Sequence, residues 1–237
     1  MSYLRDLGIT ISEDLSWSTH ISSIACKARS VAAWVLSVFN TRDAITMMTL
    51  YKSLVRSLLE YSCPLWNPKK VSDIQQLEAV QRTFTKRILG LQDLDYWERL
   101  KALKLMSLQR RRERYIIIHM WNILHNVSPN DIDIQFQPPG RLGLKARVPK
   151  IVPSCRRRHQ TLYDASFAVQ GPRLWNCLPS TLTTESVFDR FKDTLTKFLL
   201  SYPDTPSVRG YTCVNGNSLL DWHLMNSNSW SANPMSW

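Results

Sequence analysis

The sequence predicts a mainly α fold: a helical bundle with a short N-terminal strand, a long basic loop region and a disordered C-terminal tail. Three observations predict it. Apolar residues recur at helical spacing through most of the first 125 positions and again near residue 190. Capping or helix-breaking residues bracket each run. Period-two alternation is confined to a few short stretches. At 237 residues, 44% hydrophobic and 21% charged, the chain can bury one large core or two modest ones.

In Tyr3 to Ser12, Leu7, Ile9 and Ile11 alternate with Gly8 and Thr10, as in a half-buried strand whose backbone needs a partner from elsewhere. Ser16 is then in place to cap a helix with the stripe Ile21, Ile24, Ala28, Val31, Val35 and Phe39. Lys27 and Arg29 read as solvated charges on it.

A helical hairpin follows. Thr41 can cap its first helix, in which Met47, Leu50, Tyr51, Leu54, Val55 and Leu58 form a broad apolar face. Pro64 and Pro68 force a corner that Trp66 plugs. Ser72 and Gln75 form a capping box for the second helix, which carries Ile74, Leu77, Val80, Phe84 and Ile88 and is stopped by Gly90. Its other face carries Arg82, Lys86 and Arg87 beside Gln81 and Thr85. Such a strip fits a phosphate backbone or is a solvated basic face.

Asp95 and Glu98 open a short helix through Leu103. Ser107 caps a longer one whose first turns hold Arg110, Arg111, Arg112 and Arg114 and whose later half is apolar. The basic end is expected to be exposed. Four arginines near a helix N-terminus oppose the helix dipole, so they mark either an external anion or a solvated cluster. From Asn126 to Gln160 the pattern dissolves into Pro, Gly and basic residues, with room for one hairpin over Leu142 to Val152 and a mobile arm at Arg156, Arg157 and Arg158. Leu162 to Trp175 restarts an apolar module with Gly171-Pro172 as a turn. Ser186 and Asp189 open a last helix lined by Val187, Phe188, Phe191, Leu195, Phe198 and Leu199. Beyond Pro203 the chain reads as disordered, or as a tail offering Trp222, Trp230 and Trp237 to a partner.

The formal charge is +11, and all of it sits in the middle third: residues 82–158 hold 17 Lys and Arg against 6 Asp and Glu, while 1–81 hold 8 against 7 and 159–237 hold 5 against 6. Localised positive charge attracts polyanions, which makes nucleic acid the leading partner and an anionic membrane surface the second. No stretch approaches 18 apolar residues, and acidic and basic residues occupy the N-terminus where a secretory signal needs an apolar core. The reading is an intracellular protein of nucleus or cytoplasm, not secreted. Five cysteines without a close pair indicate reduced, mostly buried thiols, and Cys155 with His159 lacks the further ligands of a zinc site.

Linked motifs carry a resemblance. Leu50-Tyr51-Lys52-Ser53-Leu54-Val55-Arg56, Leu59-Glu60-Tyr61, Pro64-Leu65-Trp66-Asn67-Pro68 and Leu77-Glu78-Ala79-Val80-Gln81-Arg82-Thr83-Phe84-Thr85-Lys86-Arg87-Ile88 resemble the segment after the polymerase palm in reverse transcriptases of non-LTR retrotransposons, jockey-like elements above all. Asp6-Leu7-Gly8-Ile9-Thr10-Ile11, Asp14-Leu15-Ser16-Trp17, Tyr96-Trp97-Glu98-Arg99-Leu100-Lys101 and Leu174-Trp175-Asn176-Cys177-Leu178-Pro179 extend it over most of residues 3–202. The resemblance implies a remnant of the last palm strand over 1–15, a helical thumb-like domain over 16–126, a basic loop or arm over 127–160, a helical module over 161–202 and a tail over 203–237.

It also implies a partner, an RNA or DNA duplex or template-primer, with the palm and fingers as a second. Polymerase chemistry needs clustered carboxylates holding divalent ions. This chain has no Asp-Asp pair, its nearest approach being Asp131-Ile132-Asp133 in a loop, so magnesium would belong to the palm and this chain would hold no cofactor, metal site or catalytic residue. The expectation is a non-catalytic fragment of an RNA-directed DNA polymerase. It binds phosphates through Arg82, Lys86, Arg87, Arg110, Arg111, Arg114, Arg156, Arg157 and Arg158. The alternative is an orphan helical protein-interaction module derived from a transposable element, and a third reading has polymerase activity restored in trans by a separate palm.

Overall fold

A computed structural model describes residues 3–68, 70–140, 143–147, 166–202 and 218–220. The fold is mainly helical with few, short strands. At the N-terminus β1 (Tyr3–Asp6) and β2 (Ile9–Ser12) pair antiparallel in the register Tyr3 with Ser12 to Asp6 with Ile9. The single strand expected over Tyr3 to Ser12 is therefore a hairpin that supplies its own partner. Leu7 and Gly8 both have positive φ, +44° and +84°, the condition for a two-residue turn matching strand twist. Leu7 consequently points outward, 82% exposed, while Ile9 is buried.

Helix α1 (Ser18–Val38) starts behind Trp17, with no side-chain cap. Ser16 instead donates its N–H to Asp14 Oδ1 at 3.0 Å. Contrary to the sequence argument, α1 is long and apolar enough to cross a membrane by length and composition. Ile21, Ala25, Ala28 and Val35 are fully buried in the first apolar cluster, and α1 packs mainly on α4. Arg42 closes its C-terminus, donating from Nη2 to Leu36 O at 2.7 Å and from Nη1 to Phe39 O, where a cation also meets the negative end of the helix dipole.

One continuous helical rod follows: α2 (Ala44–Leu50), a π turn (Tyr51–Val55) and α3 (Arg56–Glu60). Its N-cap is Asp43, which accepts from Thr46 N–H at 2.9 Å; Thr41, the expected cap, donates to the other Asp43 oxygen. Those bonds hold the Asp43 carboxyl down at about 2. Trp66 fills the Pro64 to Pro68 corner, fully buried, its indole N–H donating to Tyr61 O at 2.8 Å. Helix α4 (Val71–Thr85) begins behind Lys70 without the Ser72-Gln75 box, and Asp73 in its first turn accepts from Ser18 Oγ at 2.8 Å instead. A turn carries the chain to Gly90, whose φ of +79° makes it the expected left-handed stop. Helix α5 (Tyr96–Ala102) has the capping box predicted for Asp95 and Glu98, and α6 (Leu108–Leu124) has the Ser107 cap.

The second apolar cluster gathers the later half of α6 with β3 (Phe136–Gly140), β4 (Gly143–Ala146), α7 (Phe167–Asn176), α8 (Ser180–Thr183) and α9 (Phe188–Ser201). The hairpin placed over Leu142 to Val152 thus begins six residues earlier. Trp175 and Asn176 hold it. The indole N–H donates to Leu144 O at 3.0 Å, while the Asn176 amide accepts from Ala146 N–H at 2.9 Å and donates to Ala146 O at 2.8 Å.

Gly171-Pro172 lies inside α7 rather than in a turn. A Cβ on Gly171 would sit 2.6 Å from Met120 Sδ, so close approach to α6 requires the glycine. Helix α9 starts behind Val187, whose N–H is taken by Glu185, and Ser186 plays no capping part. Ser218 and Leu219, in the tail read as disordered, are buried, and Leu219 belongs to the second cluster. Cys63 and Cys177 are buried, with thiols pushed up to about 12 by desolvation, whereas Cys26 is exposed. Cys155 and His159 lie outside the described residues.

Gly171→Ala should destabilise the fold by about 1–3 kcal/mol through overpacking, and Met120→Ala should recover part of that loss in the double variant, read as thermal midpoints. Burial lowers the pKa of His20, His119 and His125 below the ordinary 6.5. A folded pKa below the unfolded one means stability is complete above pH 6.5 and is lost as pH falls through that value. Thermal midpoints should therefore drop between pH 7.5 and 5.5, and His20→Gln should reduce the drop.

Candidate nucleic-acid interface

On α4 the period of the buried stripe decides which side chains face outward. Leu77, Gln81, Phe84 and Ile88 follow one another at intervals of four, three and four, and all are fully buried. Gln81 is therefore part of the core side, as is Thr85, and neither lies in the cationic strip as expected. Gln81 is the centre of a buried network: its carbonyl accepts from Tyr51 Oη at 2.8 Å and its amide donates to Tyr96 Oη at 2.9 Å and Met106 O at 3.1 Å. Tyr96 Oη in turn donates to Glu78 Oε1. Arg82, Lys86 and Arg87 are exposed, on α4 and the turn that follows it. Arg82 stacks over the Tyr96 ring at 4.9 Å, which fixes its stem and leaves the cation outside.

The arginines of α6 do the opposite of what was expected. Arg110 and Arg112 are buried to 0% and 1% exposure, and Arg111 and Arg114 are half-buried. Arg110 ion-pairs with Glu113 at 3.7 Å and donates to Leu199 O at 3.2 Å. Arg111 forks onto Glu60, from Nε to Oε1 and from Nη2 to Oε2 at 3.0 Å, and Tyr115 Oη donates to the same carboxylate at 3.1 Å. Burial alone would lower the Arg111 pKa, but the Glu60 carboxylate outweighs it and the net shift is upward. Arg114 reaches Thr196 Oγ1 at 3.1 Å on α9.

Arg112 donates from Nε to Asn67 Oδ1 at 3.4 Å, both its Nη atoms are buried without a partner among the described residues, and desolvation lowers its pKa. The physical reason is position. Leu108, Arg112, Ile116 and Met120 continue one inner face of α6, while Arg110, Glu113, Ile117 and Trp121 continue another.

The helix-dipole conflict is resolved internally as well. Glu78, from α4, accepts Leu108 N–H on both oxygens at 3.3 and 3.0 Å, placing a buried carboxylate on the α6 N-terminus. Glu60 and Glu113 thus engage Arg111 and Arg110, and Glu78 meets the helix N-terminus, whereas the Nη atoms of Arg112 find no partner among the described residues. Arg99 is buried too, donating to Leu94 O at 2.6 Å and capping Arg82 O at 3.4 Å near the α4 terminus. Of the expected convergent groove, the α4 strip remains at the surface. Arg110 is inside, Arg111 and Arg114 are engaged with acceptors, and Arg156, Arg157 and Arg158 lie outside the described residues. Exposed Lys101 and Lys104 follow on from α4, but among exposed Asp93, Asp95 and Glu98 they make a surface of mixed sign. Among the described residues no three His, Cys, Asp or Glu side chains cluster as a metal site.

No family model and no solved structure matches the chain. Over 87 residues it is 26% identical to a Drosophila melanogaster protein described as "Probable RNA-directed DNA polymerase from transposon X-element", covering 35% of this chain and 10% of that protein. The likeness is partial and distant. Over 124 residues it is 26% identical to an uncharacterized protein of Caenorhabditis elegans, covering 51% of this chain and 63% of that one. The chain thus spans a tenth of the first relative's length and less than two thirds of the second's, and its tie to retrotransposon polymerases is a loose one.

Arg110→Met should lower the thermal midpoint by about 6–12 °C, because removing one partner of a buried pair costs about 3 kcal/mol. Arg112→Met should leave the midpoint unchanged or raise it, since the thioether fills similar volume without two unpartnered nitrogens. A differential scanning measurement on the two variants separates a structural role from a surface one.

Proposed function

We propose that the chain is a non-catalytic, nucleic-acid-binding part of a retrotransposon-type RNA-directed DNA polymerase, engaging duplex phosphates through Arg82, Lys86 and Arg87. The observation that carries the reading is the exposure of these three cations within six residues across the end of α4 and the turn that follows it, while the opposite face of α4 is locked into the core. Phosphate contacts position a protein on a duplex without reading its sequence, so the binding is sequence-tolerant. The partial likeness to a transposon polymerase supports the partner class. A second reading, a protein-interaction module, draws on Trp34 and Val38, which stand one turn apart on α1 and are 55% and 53% exposed.

One titration separates them. With duplex RNA or DNA, log affinity should fall linearly with log salt, and converting Arg82, Lys86 and Arg87 together to Gln should flatten that slope by about two to three units, equally for different sequences. The fold should hold, as exposed substitutions usually cost within about 0.5 kcal/mol. An unchanged slope in the triple variant would remove the strip from the interface. The same preparations, given primer, template, nucleotides and magnesium, should show no extension.

A further inference from the structure

Two cavities border α3. One, of about 490 Å³, lies against the N-terminal hairpin and α1, where Arg5 and Lys27 are exposed. His20 belongs to its wall, but with the ring edge-on to Trp66 at 5.3 Å and Nδ1 accepting the Thr10 N–H at 3.3 Å, the remaining Nε2 is closed off. The other, of about 400 Å³, lies between the π turn, the end of α3 and α6, within the usual range of about 300–1,000 Å³ for small-ligand sites. Lys52, Arg56, Glu60, Ser62, Pro64 and Tyr115 line it.

Arg56 sets this second cavity apart. Its side chain is only 16% exposed, and the carboxylate it faces is already spent. Glu60 takes two donors from Arg111 and a third from Tyr115 Oη, which leaves Arg56 Nε 3.6 Å from Oε2, beyond hydrogen-bond range. That Nε is buried without a partner. The two Nη atoms have no hydrogen bond among the described residues either, and they are not closed off as Nε is.

The local charge does not balance. The Glu60 carboxylate is shared among the guanidiniums of Arg56, Arg111, Arg112 and Arg114. Burial, and after it the charge of Arg111, lowers the pKa of both Arg56 and Arg114. A desolvated cation whose counter-ion is saturated gains from an anion that reaches it. Two departures from regular backbone border the same cavity. The π turn, a rare form that recurs at functional sites, carries Lys52 and ends with the Arg56 N–H donating to Tyr51 O. Ser62 has a φ of +53°, and strain of that kind gathers where ligands are held.

The donor set narrows the anion. Ser57 Oγ donates to Ser53 O at 2.8 Å, Tyr61 Oη to Leu7 O at 3.2 Å and Tyr115 Oη to Glu60, so those hydroxyls are committed. The Arg56 fork, the Lys52 ammonium and the Ser62 hydroxyl remain, the last two on exposed residues. A guanidinium fork holds two oxygens in one plane. A carboxylate ends there, whereas a phosphate group brings a third oxygen for Lys52 or Ser62 and more charge for the second cation.

We propose that this cavity binds a phosphate group, held in the Arg56 fork and completed by Lys52 and the Ser62 hydroxyl. None of these residues belongs to the α4 strip, so the site stands whether or not that strip meets nucleic acid.

The test uses the full chain with nitrogen-labelled arginine side chains, titrated with inorganic phosphate and with acetate at one ionic strength. Phosphate should shift the Arg56 Nε resonance saturably in the millimolar range, and acetate should need about tenfold more. Lys52→Gln, an exposed change that keeps the Arg56 probe, should weaken phosphate about fivefold. Arg56→Lys keeps the charge but loses the fork, and phosphate should then raise the thermal midpoint no more than acetate does. The Gln triple variant of Arg82, Lys86 and Arg87 should bind phosphate unchanged.

A nucleic-acid duplex added to the phosphate complex identifies the source. Displacement of phosphate from Arg56 assigns the cavity to a polynucleotide backbone, and retention assigns it to free phosphate or a small phosphate ester. Absence of a saturable shift at tens of millimolar phosphate, equal affinity for acetate, or indifference to the Lys52 and Arg56 changes would each overturn the proposal.

Discussion

The fold depends on how the arginine-rich start of α6 is satisfied away from water. A guanidinium cannot shed its charge, so one drawn inside calls for acceptors, which Arg110 and Arg111 have and the Nη atoms of Arg112 lack. Glu60 at the end of α3 takes Arg111, Glu113 on α6 itself and the Leu199 carbonyl of α9 take Arg110, and Glu78 from α4 receives the Leu108 N–H at the start of the same helix. They come from both apolar clusters, so the polar seam is also what joins the early helices to the later module. Glu113 carries the seam further: both its oxygens accept the N–H of Leu219, drawing a piece of the C-terminal region into the second cluster. Such pairs add little net stability over apolar residues of equal volume, but they tolerate only one arrangement of the elements that supply them.

This changes the meaning of the formal charge. Composition placed the whole excess of +11 between residues 82 and 158. Arg99, Arg110 and Arg112 are buried and Arg111 is neutralised by Glu60, so the field at the surface is smaller and more localised than the count implied. What faces outward on α4 is a narrow strip, and the hairpin cavity gathers cations that are scattered in sequence.

Helix existence, the Trp66 corner, the Asp95-Glu98 box, the Ser107 cap and the Gly90 stop were legible because each is a local rule acting on neighbouring residues. Helix starts at Lys70 and Val187 were not, since better caps stood nearby in sequence and tertiary contacts overrode them, while at Asp43 the stronger cap of two neighbouring candidates is the one used. Gln81 and the α6 arginines were misread for another reason. Polar identity points to the surface, whereas the spacing from Leu77 through Gln81 to Phe84, and from Leu108 through Arg112 to Ile116, puts Gln81 and Arg112 on buried faces. The hairpin was hidden because Leu7-Gly8 lacks the Asn or Asp that usually announces such a turn, and His20 because a lone histidine announces no partner in sequence. The cavity that Arg5, His20 and Lys27 line could not be read at all, since its walls come from three separate stretches of sequence, Arg5 to Thr10, His20 to Lys27 and Ser57 to Tyr61.

The amide of Asn176 deserves a last consequence. By occupying both the N–H and the C=O of Ala146, a side chain stands where another strand would otherwise add to β4. A short hairpin rich in proline and glycine carries little side-chain information to resist pairing with a neighbouring molecule, and unpaired strand edges are the usual seed of aggregation. The Trp-Asn pair in α7 therefore closes this edge of the hairpin at Ala146 from within the chain.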